Sequence, residues 1–339
     1  MVDWVSKPVL VTGGASFIGS ALTDALIERG ADVRIIDNLS SGRIEYIEDY
    51  IRRGRVEFIQ GDLLDPALAA RSVDGISVVF HLAADHGGRG YVDLHQIECS
   101  TNLILDGNVF RAAATAGVEK VVFASSGCVY PNYLQTDPKQ ELYLTEQMVG
   151  PPYDSDHMYG WAKLMAEMTL RAYASQGLLK AASCRYFTVY GPRGKENHAV
   201  ISMIARAFVG QNPFEVWGTG EQVRNWTYVD DIVEGTIRAA EVIDDGTAVN
   251  LGTEERIRVA DAARMIIDLM RLDTTLRFLP ELATGPYNRV ASNQLAKELL
   301  GWQPQVPFRA GIARTIDWYV KAKDREEVRA SLESLLTAR

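Results

Sequence analysis

The tightest constraint on the fold lies at the start of the chain. Pro8 to Thr12 is a short apolar run ending in Gly13-Gly14-Ala15-Ser16-Phe17-Ile18-Gly19. A helical pattern follows, with Ala21, Leu22, Ala25 and Leu26 on one face and Gly30 where a helix would stop. Residues 33–37 read as a second strand that closes on an acid, Asp37. Strand, glycine turn, helix, strand, acid is the layout of a dinucleotide-binding βαβ unit. Glycines let the backbone approach a pyrophosphate at the helix N-terminus, where free N–H groups and the helix dipole favour anions. Asp37 lies 18 residues beyond Gly19, where a carboxylate can accept hydrogen bonds from the adenosine ribose. A carboxylate there repels a 2′-phosphate, so the pattern predicts NAD(H) over NADP(H). Ser16 takes the place of the middle glycine, and its Cβ is expected to crowd the pyrophosphate or tighten the turn.

The alternation continues. Strand patterns at 56–62, 76–81, 120–125 and 181–187 are interleaved with helical ones at 94–116 and 156–173. Strands joined through helices need crossover connections, so the expected fold is α/β, a doubly wound, mostly parallel sheet covered on both faces. Ligands of such sheets sit at the carboxyl ends of the strands. Gly13, Asp37, Asp62, Ala83, Ser125 and Phe187 all fall there. Beyond residue 188 the pattern loosens into helices at 199–209, 230–241, 258–271, 292–300 and 308–322, with short strands at 214–217 and 248–251. The expected division is a dinucleotide-binding domain over 1–187 and a smaller, mostly helical substrate lobe over 188–322 with interleaved boundaries. A charged tail covers 323–339.

Bulk properties exclude other classes. A net charge of -9 without a basic patch argues against nucleic-acid binding. The apolar runs fall far short of the roughly 20 residues of a membrane span, and residues 1–8 lack a signal-peptide core, so a cytoplasmic protein is expected. Cys99, Cys128 and Cys184 have no metal-ligand spacing; reduced thiols and no metal site are expected.

Tyr159 and Lys163 stand four residues apart in the amphipathic 156–173 segment, hence on one helix face. A cation beside a phenol favours the phenolate, so this pair predicts a tyrosine with a lowered pKa that takes a proton from a substrate hydroxyl.

With these residues assembled, the chain resembles the extended short-chain dehydrogenase/reductases, specifically the NAD-dependent nucleotide-sugar epimerases and dehydratases. The resemblance spans nearly the whole chain and includes Thr12-Gly13-Gly14, Asp37-Asn38-Leu39-Ser40-Ser41-Gly42, Gly61-Asp62-Leu63, His81-Leu82-Ala83-Ala84 and Ser125-Ser126. It continues through Tyr159/Lys163, Val189-Tyr190-Gly191-Pro192 and Arg224-Asn225-Trp226-Thr227-Tyr228. It implies that Gly13, Ser16, Phe17, Ile18 and Gly19 hold the cofactor turn, Asp37 and Asn38 the ribose, and Asp62 and Leu63 the adenine. Leu82, Ala83 and Ala84 complete the cofactor wall. Ser126, Tyr159 and Lys163 become the catalytic triad, which oxidises a sugar at C4 to a transient ketone; Tyr159 and Lys163 also touch the cofactor.

Several departures separate branches of the family. Dehydratases carry an acid pair after the catalytic serine, whereas Gly127 and Cys128 stand there. That segment instead looks like the one in GDP-mannose 3,5-epimerases and GDP-fucose synthases, as does the loop containing Gly87 and Gly88, which is expected to touch substrate; His86 in the same loop is a further candidate contact. The likeness implies a second acid/base near Glu196-Asn197-His198. We assign Cys128 and His198 to proton transfer at C3 or C5, with Lys195 the alternative to His198. Arg224 and Arg289 are expected on the nucleotide diphosphate and Trp217 on its base. Thr188, expected at the substrate, stands where relatives have Asn, and Ser292 where many have Asp. The expected activity is a C5 and/or C3 epimerase resembling the GDP-mannose enzymes. Alternatives are a UDP- or dTDP-sugar 4-epimerase and an epimerase-reductase, and a homodimer is the expected partner state.

Overall fold

The computed structural model describes residues 3–282 and 284–337. Seven strands form one sheet: β1 (Pro8–Thr12), β2 (Asp32–Asp37), β3 (Val56–Gln60), β4 (Val78–His81), β5 (Lys120–Ser126), β6 (Lys180–Tyr186) and, last in the chain, Asp245–Leu251. Their spatial order is Asp245–Leu251, β6, β5, β4, β1, β2, β3. Every pair is parallel; Val11 of β1 lies opposite Ile35 on one side and Phe80 on the other. This is the expected doubly wound sheet, with its order reversing between β1 and β4, and ligand crevices open at the carboxyl ends beside such a switch.

The strands carry apolar residues at consecutive positions because both faces are covered. Val9, Val11, Ile35 and Phe80 pack with Leu22 and Leu26 of helix α1 (Phe17–Glu28). Their neighbours Leu10, Ile36 and Val79 point the other way, onto Val109 and Phe110 of the Asn102–Ala116 helix. The alternation is the two-residue period of a strand, spent on two cores.

Two features differ from the sequence reading. The helix expected at 94–116 is three: Arg89–Leu94, Gln96–Ser100 and Asn102–Ala116. The Asn102 side chain accepts from the Asp85 N–H (2.7 Å) and donates to the Asp85 and Cys99 carbonyls, so a long-range anchor overrides the helical periodicity. In addition, the strand at the end of the chain's third quarter, Asp245–Leu251, completes the main sheet beside β6, and the Val229–Val242 helix packs against α1, β5 and β6. Segments from both sides of residue 188 therefore build the sheet.

The remaining pieces sit over the strand ends. The helices Ala199–Val209, Val259–Leu269 and Phe308–Ala322 pack with the paired strands Phe214–Trp217 and Leu276–Leu279. Trp226 stacks on Phe308 at 5.0 Å. The charged tail forms a helix, Arg325–Thr337, docked through buried Val328 and an Arg329 bond to the Val209 carbonyl (3.1 Å); residues 338–339 lie outside the described residues. Among the described residues no helix is long and apolar enough to cross a membrane.

Candidate active site

The site begins at the glycine turn. Gly13 has φ +69°, and a Cβ there would stand 3.0 Å from the Ala83 nitrogen; a Cβ on Gly19 would meet the Gly13 carbonyl at 2.1 Å. Only glycine permits that approach of helix, turn and strand. Ser16 turns its hydroxyl back onto the Gly13 carbonyl (2.6 Å), so it tightens the turn. The wall opposite is fixed by Thr12, whose Oγ1 accepts from the Leu82 and Ala83 N–H groups (3.0 Å each). With its lone pairs engaged, that hydroxyl donates to His81 Nδ1 (2.8 Å), leaving the His81 Nε2–H for Asp106 Oδ1 (3.0 Å). Burial pushes the His81 imidazole down, in keeping with this neutral tautomer.

Asp37 accepts the Ala15 N–H (3.0 Å) and the Leu39 N–H (2.8 Å), one on each oxygen. Each oxygen keeps a lone pair for a ribose hydroxyl. Burial raises its pKa against the pull of those N–H groups and Lys195. Asn38 donates to Asp62 (3.1 Å), and both line a cavity of about 200 Å³ with Gly13, Leu63, Ala83 and Ala84. The glycine approach and the ribose acid fit an adenine dinucleotide, and Gly13, Ser16, Asp37, Asn38, Asp62 and Leu63 would hold it.

A larger cavity of about 390 Å³ adjoins it. Ser126 ends β5, and Tyr159 and Lys163 come from the His157–Ser175 helix, placed against the Gly127–Val129 turn by Gly160. A Cβ at Gly160 would stand 2.3 Å from the Cys128 carbonyl, so the helix seats at this depth only with glycine there. Ser126 hydrogen-bonds the Tyr159 hydroxyl. The Lys163 ammonium, 1% exposed, sits 4.5 Å over the Phe123 ring and 5.7 Å from the Tyr159 ring centre.

The expected lowering of the Tyr159 pKa by Lys163 is not what the polypeptide supplies. Burial raises the Tyr159 phenol well above its ordinary value, with Cys128 adding to the rise and Ser126 opposing it. Burial also pushes the Lys163 ammonium down, partly offset by Asp106. Desolvation of both groups outweighs their proximity.

The structure brings the expected substrate residues together. Gly87, Gly88, Cys128, Thr188, His198, Trp217, Arg224 and Arg289 all line the larger cavity, as do Ser16, Phe17, Ile18, Leu82 and Ala84. Ser292 is not among them; it is buried against Leu144 and Asn250. Cys128 donates its N–H to Ser126 Oγ (3.1 Å), and its sulfur accepts from Arg289 Nη1 (3.3 Å). Arg289 also donates to Asp156 (2.9 Å) and Gln135 (2.8 Å), so its guanidinium stands at the Cys128 end of the cavity. Arg89 grips the same Asp156 from the other side (2.9 Å). Burial alone would raise Asp156; Arg289 and Arg89 outweigh it and hold the carboxyl down. Arg224 donates to the Thr284 carbonyl (2.8 Å) and is pushed down to about 9 by burial and by the neighbouring Arg289 and Arg89. This crowding of guanidinium groups suits an anionic ligand.

His198 precedes the Ala199–Val209 helix and is pushed down to about 4 by burial and by Lys195, so it is neutral at neutral pH. The His86 ring lies between, 6.2 Å from Tyr159 and 6.1 Å from His198. Sequence reasoning missed Gly160, Arg89, Asp156, Gln135 and Arg206, the last lining the same cavity with its guanidinium 5.7 Å over the Trp217 ring. Arg89 was signalled by its place directly after Gly87-Gly88; the others have no local signature.

The model of the NAD dependent epimerase/dehydratase family matches residues 9–252. The UDP-N-acetyl-alpha-D-glucosaminuronate decarboxylase of Bacillus cytotoxicus is 32% identical, covering 93% of this chain and 98% of its own. The GDP-mannose 3,5-epimerase of Arabidopsis thaliana is 28% identical, over 98% of this chain and 88% of its own. A Thermus thermophilus UDP-glucose 4-epimerase solved in complex with NAD superposes with a TM-score of 0.82 at 28% identity, covering 93% of this chain and all (100%) of that one. The chain belongs to the NAD-dependent epimerase/dehydratase family of nucleotide-sugar enzymes, with NAD as its cofactor.

Proposed function

We propose that the protein is a nucleotide-sugar epimerase that makes a transient 4-keto sugar and inverts C5, with or without C3. The observation that carries this reading is that Cys128 and His198 line the same cavity as Ser126 and Tyr159. Bound NAD+ supplies the hydride acceptor and a positive charge that favours the Tyr159 phenolate against burial. Tyr159 then takes the proton of the sugar 4-hydroxyl, with Ser126 holding the same oxygen. A ketone at C4 acidifies the hydrogens on C3 and C5, and inversion needs a base on one face and an acid on the other. A neutral imidazole at His198 accepts a proton, and a thiol at Cys128 can give one. Arg89, Arg224 and Arg289 supply positive charge for the diphosphate and the sugar.

Gly127 and Cys128 in place of an acid pair speak against a 4,6-dehydratase. A UDP- or dTDP-sugar 4-epimerase is the second reading, favoured by the superposition on the Thermus enzyme and requiring only the triad and room for the ketone to rotate. The proposed working form is a cytoplasmic homodimer. Its support is an exposed apolar face of Leu94, Ile97 and Ile104 beside Trp161 and Met165 of the catalytic helix. Incubation with GDP-, UDP- and dTDP-sugars in deuterated water tests the chemistry. Deuterium at C5 or C3, lost in Cys128→Ala, is the expected result. A deuterium-free 4-epimer would leave the second reading, and no turnover of any nucleotide sugar would remove both.

A further inference from the structure

We propose that Lys195 is a clasp on the cofactor pyrophosphate, reaching across from the C-terminal half of the chain, and is not an acid/base of the sugar site. The turn that receives the pyrophosphate has no cation of its own: residues 12–20 contain neither Lys nor Arg. The helix N-terminus at Phe17 contributes only about half a positive charge. Lys195 lines the large cavity together with Ser16, Phe17, Ile18 and Ser41, the residues of that turn and of the loop beside it. Its charge reaches both the Asp37 carboxyl and the His198 ring.

The loop is built to hold that position. On one side Arg193 pairs with Asp24 of α1 (2.8 Å) and lies 5.3 Å over the Tyr46 ring. On the other, buried Glu196 accepts from the Tyr319 hydroxyl (3.0 Å) and pairs with Lys323 (2.7 Å). Lys195 is suspended between the two anchors, and its carbonyl accepts the His198 N–H (3.1 Å). One loop therefore presents His198 to the sugar and Lys195 to the phosphates. A charge-assisted bond to a phosphate oxygen is worth a factor of about ten or more in affinity.

The test reads cofactor binding and does not depend on which sugar is used. NAD+ and adenosine are titrated into wild type, Lys195→Met and Lys195→Arg by calorimetry, at low and high salt, after exchange of any bound NAD+. The expected result is an NAD+ Kd about ten-fold weaker in Lys195→Met, with a shallower salt dependence, and largely restored in Lys195→Arg. Adenosine, which has no phosphate, should bind all three alike. A wild-type NAD+ Kd in Lys195→Met would overturn the proposal; if that variant also lost deuterium exchange, Lys195 would return to the sugar site. Equal weakening toward adenosine would likewise overturn it, as a change of loop shape. Failure of every sugar to exchange deuterium in wild type would sink the epimerase reading and leave these titrations untouched.

Discussion

Removal of Glu167 should show how the helix bearing Tyr159 and Lys163 is held. Glu167 follows Lys163 by one turn and faces inward, 1% exposed. Its two oxygens accept from Arg185 Nε (2.9 Å) and Nη2 (2.8 Å) on β6, and one also accepts from the Ser125 hydroxyl on β5. Burial opposes the charge on Arg185, and Glu167 more than restores it. The pair ties the helix bearing Tyr159 and Lys163 to β6, and the Ser125 bond ties it to β5, the strand that ends in Ser126. Deleting one partner of a buried ion pair leaves the other charge stranded, at about 3–5 kcal/mol. Unfolding entropy near 2.1 cal/mol/K per residue gives about 0.7 kcal/mol/K for a chain of 339 residues. Glu167→Leu should therefore lower Tm by about 4–7 °C in calorimetry. Glu167→Leu with Arg185→Met removes both charges and should recover most of that loss, since well-packed apolar replacements of buried pairs are often neutral. Recovery will be incomplete because Arg185 also serves the Tyr130 hydroxyl (3.3 Å) and the Glu146 carbonyl (3.2 Å). A single variant melting within about 1 °C of wild type, or a double variant as unstable as the single, would refute the reasoning.

His198 makes a pH prediction with a definite sign. Its native pKa is near 4 against an ordinary 6.5, so the folded state refuses a proton that the unfolded chain takes. That contribution to stability is whole above pH 6.5 and is lost as pH falls toward 4; urea midpoints of His198→Gln should drop less than wild type between pH 7 and 5, and parallel curves would count against it. For the proposed dimer, Met165→Glu places a charge in the exposed apolar face and should shift the sedimenting species from dimer to monomer. A wild type that sediments as a monomer removes that proposal.

What could be read from the chain alone was whatever depends on neighbours in sequence. The glycine turn, Asp37 at the end of its strand and the four-residue Tyr159/Lys163 spacing are local patterns, and each sits in the expected place. What escaped depends on contacts between distant segments. Asn102 breaks a periodic helix because Asp85 lies beside it, and Arg289 reaches Cys128 from 161 positions away. Gly160 looks like a weak spot in a helix until the Cys128 carbonyl stands beside it.

The Tyr159 pKa shows why such errors can change a sign. Helical spacing correctly brings a cation near the phenol, and in water that proximity would favour the phenolate. In the folded protein the same helix face is buried, and desolvation penalises the phenolate and the ammonium alike. Burial therefore favours the protonated phenol. On the proposed reading, the positive charge of bound NAD+ would favour the phenolate beside it. Proton removal would then depend on the presence of the hydride acceptor, a dependence that a permanently ionised tyrosine would not provide.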